Sequence, residues 1–126
     1  MDGAQILVVE DNEKNMKLLR DVLQAAGYRT LEATTGGRAL ELATECVPDL
    51  ALMDIQLPDI DGVEALGRLR ADERTACIPV LALTAQAMEG DRERFLAAGF
   101  DGYLSKPVNI AELVATVKQY CEGRGR

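Results

Sequence analysis

The chain contains no histidine. That absence removes Ser-His-Asp hydrolysis and the usual zinc enzymes, which draw their base or their metal ligands from imidazole. Cysteine is scarce: Cys46, Cys77 and Cys121 are odd in number, far apart and form no C-x-x-C pair. They exclude a disulfide or metal framework and are expected to be buried, reduced thiols. Positive charge is in deficit, with 14 Lys and Arg against 21 Asp and Glu and a net charge of −7. The basic residues are also scattered, so no direct nucleic acid binding is expected. No apolar run approaches the roughly 18 residues of a membrane span, and the opening MDGAQ is not a signal peptide. These readings predict a cytoplasmic protein with no membrane contact.

What is present suits one globular domain over residues 1–126, with 48% hydrophobic and 28% charged residues. Short apolar runs alternate with amphipathic segments. Ile6–Val9 reads as a strand, followed from about Glu13 to Ala26 by helical spacing of Met16, Leu19, Leu23 and Ala26, with Gly27 as its stop. Tyr28–Ala33 alternates with period two, as an edge strand does. Residues 37–45 read as a helix with Ala39, Leu40 and Ala43 inward, ended by Pro48.

Leu50–Met53 is a buried strand, and Asp61-x-x-Glu64 resembles a capping box opening a helix over Val63–Ala71 with Val63, Leu66 and Leu69 inward. Val80–Leu83 is a fourth strand, Ala87–Ala98 a weaker helix interrupted by Gly90, and Asp101–Leu104 a fifth strand. Asn109-x-x-Glu112 caps a last helix with Ile110, Leu113, Val114, Val117 and Cys121 on one stripe. Five strands separated by helices imply right-handed crossovers and a parallel sheet covered on both faces. The expected fold is α/β, a (βα)5 doubly wound, flavodoxin-like three-layer sandwich of strand order 2-1-3-4-5, with its switch point between strands one and three.

The acids fall at that switch point. The first strand ends in Glu10 and Asp11, and the third ends in Asp54. Taken singly, each is accounted for as a turn or cap residue. As neighbours, two carboxylates about 4 Å apart at an effective dielectric near 20 repel by roughly 4 kcal/mol. The trio must therefore raise its pKa values or recruit a cation, and Mg2+, which takes a few carboxylates and keeps several waters, answers this. The fourth strand ends in Thr84, and Ser105-Lys106-Pro107 follows the fifth. A hydroxyl and an ammonium beside a cation-bound carboxylate make a pocket for a phosphoryl group.

The segments ILVVEDN, PDLALMDIQLPDIDG, VLALTA and GYLSKP, in this order and spacing, closely resemble the receiver domain of two-component response regulators, from about residue 5 to 121. The resemblance implies that Asp54 is the phosphoacceptor. It implies Mg2+ bound by Asp11, Asp54 and the backbone carbonyl of Gln56, with Glu10 acting through water. Thr84 would donate its hydroxyl to one phosphoryl oxygen and Lys106 would pair with another, with the Lys106–Pro107 peptide cis. Tyr103 takes the switch-aromatic position, and Gln56 and Gln86 the two positions that modulate dephosphorylation, here with an intermediate rate expected. Small Ala85 should leave room for a donor to enter. Because the chain has no histidine, the phosphohistidine would reside on a sensor histidine kinase or a histidine phosphotransfer protein. A downstream protein target would read the surface from residue 87 to 121.

Rival readings are testable on the same residues. A haloacid-dehalogenase-like phosphatase also uses Asp, Thr or Ser, and Lys around Mg2+, but needs a second Asp where Gln56 stands. A flavodoxin-like electron carrier would place a phosphate where Glu10 and Asp11 repel one. The chain reads either as a stand-alone receiver or as a receiver module of a larger regulator or hybrid kinase.

Overall fold

A computed structural model describes residues 4–85 and 91–124. Its elements alternate strictly: β1 Gln5–Val9, α1 Glu13–Ala25, β2 Arg29–Ala33, α2 Gly36–Cys46, β3 Leu50–Asp54, α3 Gly62–Ala71, β4 Val80–Thr84, α4 Asp91–Ala98, β5 Gly102–Ser105 and α5 Ile110–Arg124. The five strands pair in parallel in the order β2-β1-β3-β4-β5. This is the doubly wound α/β arrangement expected from the alternation of runs and helices. Gln86 and the expected start of the fourth helix at residues 87–90, including Gly90, lie outside the described residues.

Strand pleating sends neighbouring residues to opposite faces, and the core is accordingly in two parts. Leu7, Val9, Ala51, Met53, Val80 and Ala82 pack with residues of α2, α3 and α4. Ile6, Val8, Leu50, Leu52, Leu81 and Leu83 pack with Met16, Leu19 and Leu23 of α1 and Leu113 and Val117 of α5. β1, β3 and β4 are buried almost throughout, whereas the edge strand β2 is fully buried only at Ala33 and does not show the expected strict alternation. Local signals set the helix ends. Asn12, Thr35 and Asp61 accept the first-turn amides of Asn15, Arg38 and Glu64. Gly27, at φ +96°, stops α1 with its amide donating to Gln24 and that of Tyr28 to Leu23.

Three further sequence expectations need correction. The cysteines form no disulfide and are not buried: Cys46 and Cys77 are exposed and Cys121 half-buried. Cys46 ends α2 and Cys77 lies in the turn before β4, so neither sits on an inward stripe. Val63 is 41% exposed, and Ala65 is buried in its stead. The inward face of α3 is Gly62, Ala65, Leu66 and Leu69, and Val63 lies roughly 100° around the helix from Gly62. Ile110 is 53% exposed although Leu113 and Val117 on the same stripe are fully buried. It is the first residue of α5, ahead of Leu113, where the helix's buried contacts begin.

Candidate functional site

Register brings the acids together. Val9 pairs with Met53, so Glu10 and Asp54 stand side by side at the carboxyl ends of the two central strands. One carboxylate oxygen each of Glu10, Asp11 and Asp54 lies within 4.8 Å of the others. Glu10 and Asp54 are buried, while Asp11 is exposed at the start of the β1–α1 loop. The Asn12 amide donates to Glu10 Oε2 at 3.2 Å, and the Gln56 amide donates to Asp54 Oδ1 at 2.9 Å.

Lys106 enters from the far side of the sheet. Its backbone amide donates to the Thr84 carbonyl at 2.8 Å, which carries the segment after β5 over the end of β4. The Lys106–Pro107 peptide is cis. The Lys106 ammonium lies 2.7 Å from Asp54 Oδ2, to which it donates, and 2.7 Å from Glu10 Oε1. Glu10 Oε1 is buried, so this ion pair is made away from water. Thr84 is buried at the end of β4. A cleft of about 100 Å³ joins Asp54, Gln56, Thr84, Ala85 and Lys106.

Electrostatics follow from this crowding. Burial raises the Glu10 carboxyl above its ordinary pKa; the Lys106 contact and the Asn12 amide restrain the rise, and neighbouring Asp54 adds to it. Burial opposes the Lys106 ammonium, yet its contacts with Asp54 and Glu10 prevail and lift its pKa above the usual lysine value. When all groups are ionised, three carboxylates face one ammonium, leaving a formal charge of −2. Hard oxygen ligands and a deficit of two positive charges together fit a divalent cation such as Mg2+.

Two further residues line the cleft without having drawn notice in the sequence, Arg94 and Phe95 of α4. The Arg94 guanidinium lies 5.0 Å from the centroid of the Phe95 ring. Phe95 is buried and stands between the cleft and Tyr103, with ring centroids 6.2 Å apart. Tyr103 is half-buried on β5 and also borders a second cleft toward α5, beside Glu112 and Tyr120. Only the fact that Phe95 lies on a short helix between the fourth and fifth strands hinted at this link. Gln56 is exposed at the mouth of the cleft.

Comparison with known proteins agrees with this geometry. The family model described as the response regulator receiver domain matches residues 6–118. The chain is 49% identical over 115 residues to the polar-differentiation response regulator DivK of Brucella ovis, covering 91% of this chain and 94% of that protein. A likeness to DivK is also carried by EDNEKNMKLL and ALTAQAMEGDRERFLAAGFDGYLSKP. Among solved structures, the receiver domain of a Pseudomonas aeruginosa sensor histidine kinase, with magnesium coordinated in its active-site cleft, superposes with a TM-score of 0.88 at 39% identity, covering 95% of this chain and 98% of that one. The chemotaxis response regulator CheY4 of Vibrio cholerae superposes with a TM-score of 0.88 at 28% identity, covering 94% and 98%.

Proposed function

Since the chain belongs to the response regulator receiver domain family of two-component signalling, we propose that Asp54 is its phosphoacceptor and that residues 1–126 work as one receiver domain. The observation that carries this reading is the Lys106 ammonium held 2.7 Å from both Glu10 and Asp54 while Asp11 completes the acidic cluster. Asp54 is thereby a carboxylate kept ready beside a fixed cation, in a cleft that Ala85 leaves open.

In the proposed reaction the phosphorus–nitrogen bond of a partner's phosphohistidine breaks as an Asp54 oxygen bonds to phosphorus. The imidazole leaves with the electron pair, and the product is an aspartyl phosphate. The partner is a sensor histidine kinase or a histidine phosphotransfer protein. Asp11, Asp54 and the Gln56 backbone carbonyl would hold Mg2+, with Glu10 bonding through its waters. When bound, the ion neutralises charge on the attacking and transferring oxygens. Lys106 passes from Asp54 Oδ2 to a phosphoryl oxygen, and the Thr84 hydroxyl turns to another.

The added charge then biases two arrangements of the surface from α4 to α5. Thr84 moves toward the phosphoryl group, Tyr103 changes its packing against Phe95, and a downstream protein reads the altered face. Gln56 and Gln86 hydrogen-bond the water that ends the signal without acting as its base. Among the described residues no helix is long and apolar enough to cross a membrane, in keeping with a cytoplasmic role.

The test is direct. Incubated with a small-molecule phosphodonor and Mg2+, the protein gains the mass of one phosphoryl group, and the gain disappears with EDTA and in Asp54→Asn. A gain retained by Asp54→Asn would assign the chemistry to another residue.

A further inference from the structure

The loop joining β3 to α3 is anchored at its base and again at its tip. At the base the Ile55 amide donates to Leu83 at 3.1 Å, and the Gly62 amide closes the loop by donating to Ile55 at 2.8 Å. Gly62 is laid so closely against β3 that a Cβ there would fall 2.6 Å from the Asp54 carbonyl oxygen. At the tip, Asp59 Oδ1 accepts the Gly36 amide at 2.8 Å and Oδ2 accepts the Gly37 amide at 2.9 Å. Ile60 covers Gly36 so tightly that a Cβ on that glycine would collide with it.

The clasp takes the first two amides of α2, which the helix's own cap leaves open, and takes them from a loop of another element. α2 already has its own cap in Thr35, whose hydroxyl accepts the Arg38 amide at 3.1 Å. Asp59 comes from 22 or 23 positions away to take two different amides with both oxygens. What it immobilises is the loop. Gln56 lies between the base and the tip, three residues from Asp59, and its amide is already spent on Asp54 Oδ1. Leu57, between them, packs on the core formed with α2 and α3. With both ends fixed, the peptide plane carrying the Gln56 carbonyl has little freedom to turn.

We infer that Asp59 is a positioning residue of the cation site: by clasping the loop tip to α2 it aims the Gln56 carbonyl, and so sets the affinity for Mg2+. This rests on the reading of that carbonyl as a metal ligand. The experiment measures the Mg2+ dissociation constant by calorimetry, and backbone amide exchange at Gly36 and Gly37, for the whole chain at 0.15 M salt or above.

Asp59→Ala is expected to weaken Mg2+ binding about ten-fold, the low end of what loss of an outer supporting group costs, and to speed exchange at Gly36 and Gly37. Asp59→Asn, with one oxygen left to accept, is expected to fall between. Thr35→Ala, which weakens the same helix end without releasing the loop, is expected to bind Mg2+ as the parent does. Unchanged affinity in Asp59→Ala overturns the inference; should that variant fail to fold, unchanged affinity in Asp59→Asn does so. An equal loss in Thr35→Ala would make the effect one of helix stability, and an equal, salt-screened loss in both Asp59 variants would make it one of charge; either overturns it. A parent protein that binds no Mg2+ at all would instead overturn the reading of the site.

Discussion

Lys106 shows how much one side chain holds together. Its ammonium is the neutralising charge between two buried acids. Removing it leaves Glu10 and Asp54 facing each other with no cation between them. Lys106→Met is expected to lower stability by about 2 kcal/mol without divalent ions, and added Mg2+ should recover part of that, as read from urea denaturation. The pH dependence has a definite sign. The folded-state pKa of Lys106 stands above 10.5, so the folded protein holds this proton more tightly than the unfolded chain does. The stabilisation is complete below pH 10.5 and is lost as pH rises through the folded value. The stability gap between the parent and Lys106→Met should therefore close in that alkaline range.

Among elements, the end of α2 is built against local preference. Val47 caps it at φ 43°, a left-handed conformation that costs a β-branched residue roughly 1–2 kcal/mol. Its side chain is 46% exposed, so little packing is lost by changing it. Val47→Asn should raise stability by about 0.5–1 kcal/mol, measured as a shift in denaturation midpoint with the slope unchanged.

The same scale explains what the sequence made legible. Acids closing oily strands are readable because register is fixed by hydrophobic pattern, so Glu10 and Asp54 could be placed side by side before any coordinates. Thr84 and Lys106 followed from the same edge. Asp59 could not be seen in this way. Its partners are backbone amides in another element, which leave no trace in side-chain pattern. Arg70 is a similar case: its guanidinium donates to the carbonyls of Ala76, Ile78 and Gly99 and to Asp101, tying α3 to the turn before β4 and to the loop after α4. Arg94 and Phe95 drew no notice because the reading of α4 rested on its interruption at Gly90. The cysteines, Val63 and Ile110 were misplaced because composition and stripe say nothing of where an element ends.

Over the whole molecule, the proposed receiving and reporting regions lie apart. The cluster of Glu10, Asp11 and Asp54 belongs to the ends of β1 and β3, whereas Tyr103, Phe95 and the cleft toward α5 belong to the far side of β4. Thr84 is the proposed connection. Thr84→Ala should still take up a phosphoryl group on Asp54. Amide exchange in α4, β5 and α5 should then remain that of the unphosphorylated protein. A normal phosphorylation-dependent exchange pattern in this variant would place the connection elsewhere.

The two-sided core limits how such a protein can move. Leu81 and Leu83 belong to one oily compartment and Val80 and Ala82 to the other. A slip of β4 by a single residue would exchange their surroundings wholesale, turning each compartment inside out. Register therefore holds the sheet as a frame, and in the proposed switch the message travels through the trim mounted on its rim: hydroxyl rotors, aromatic rings and the loops that hold them.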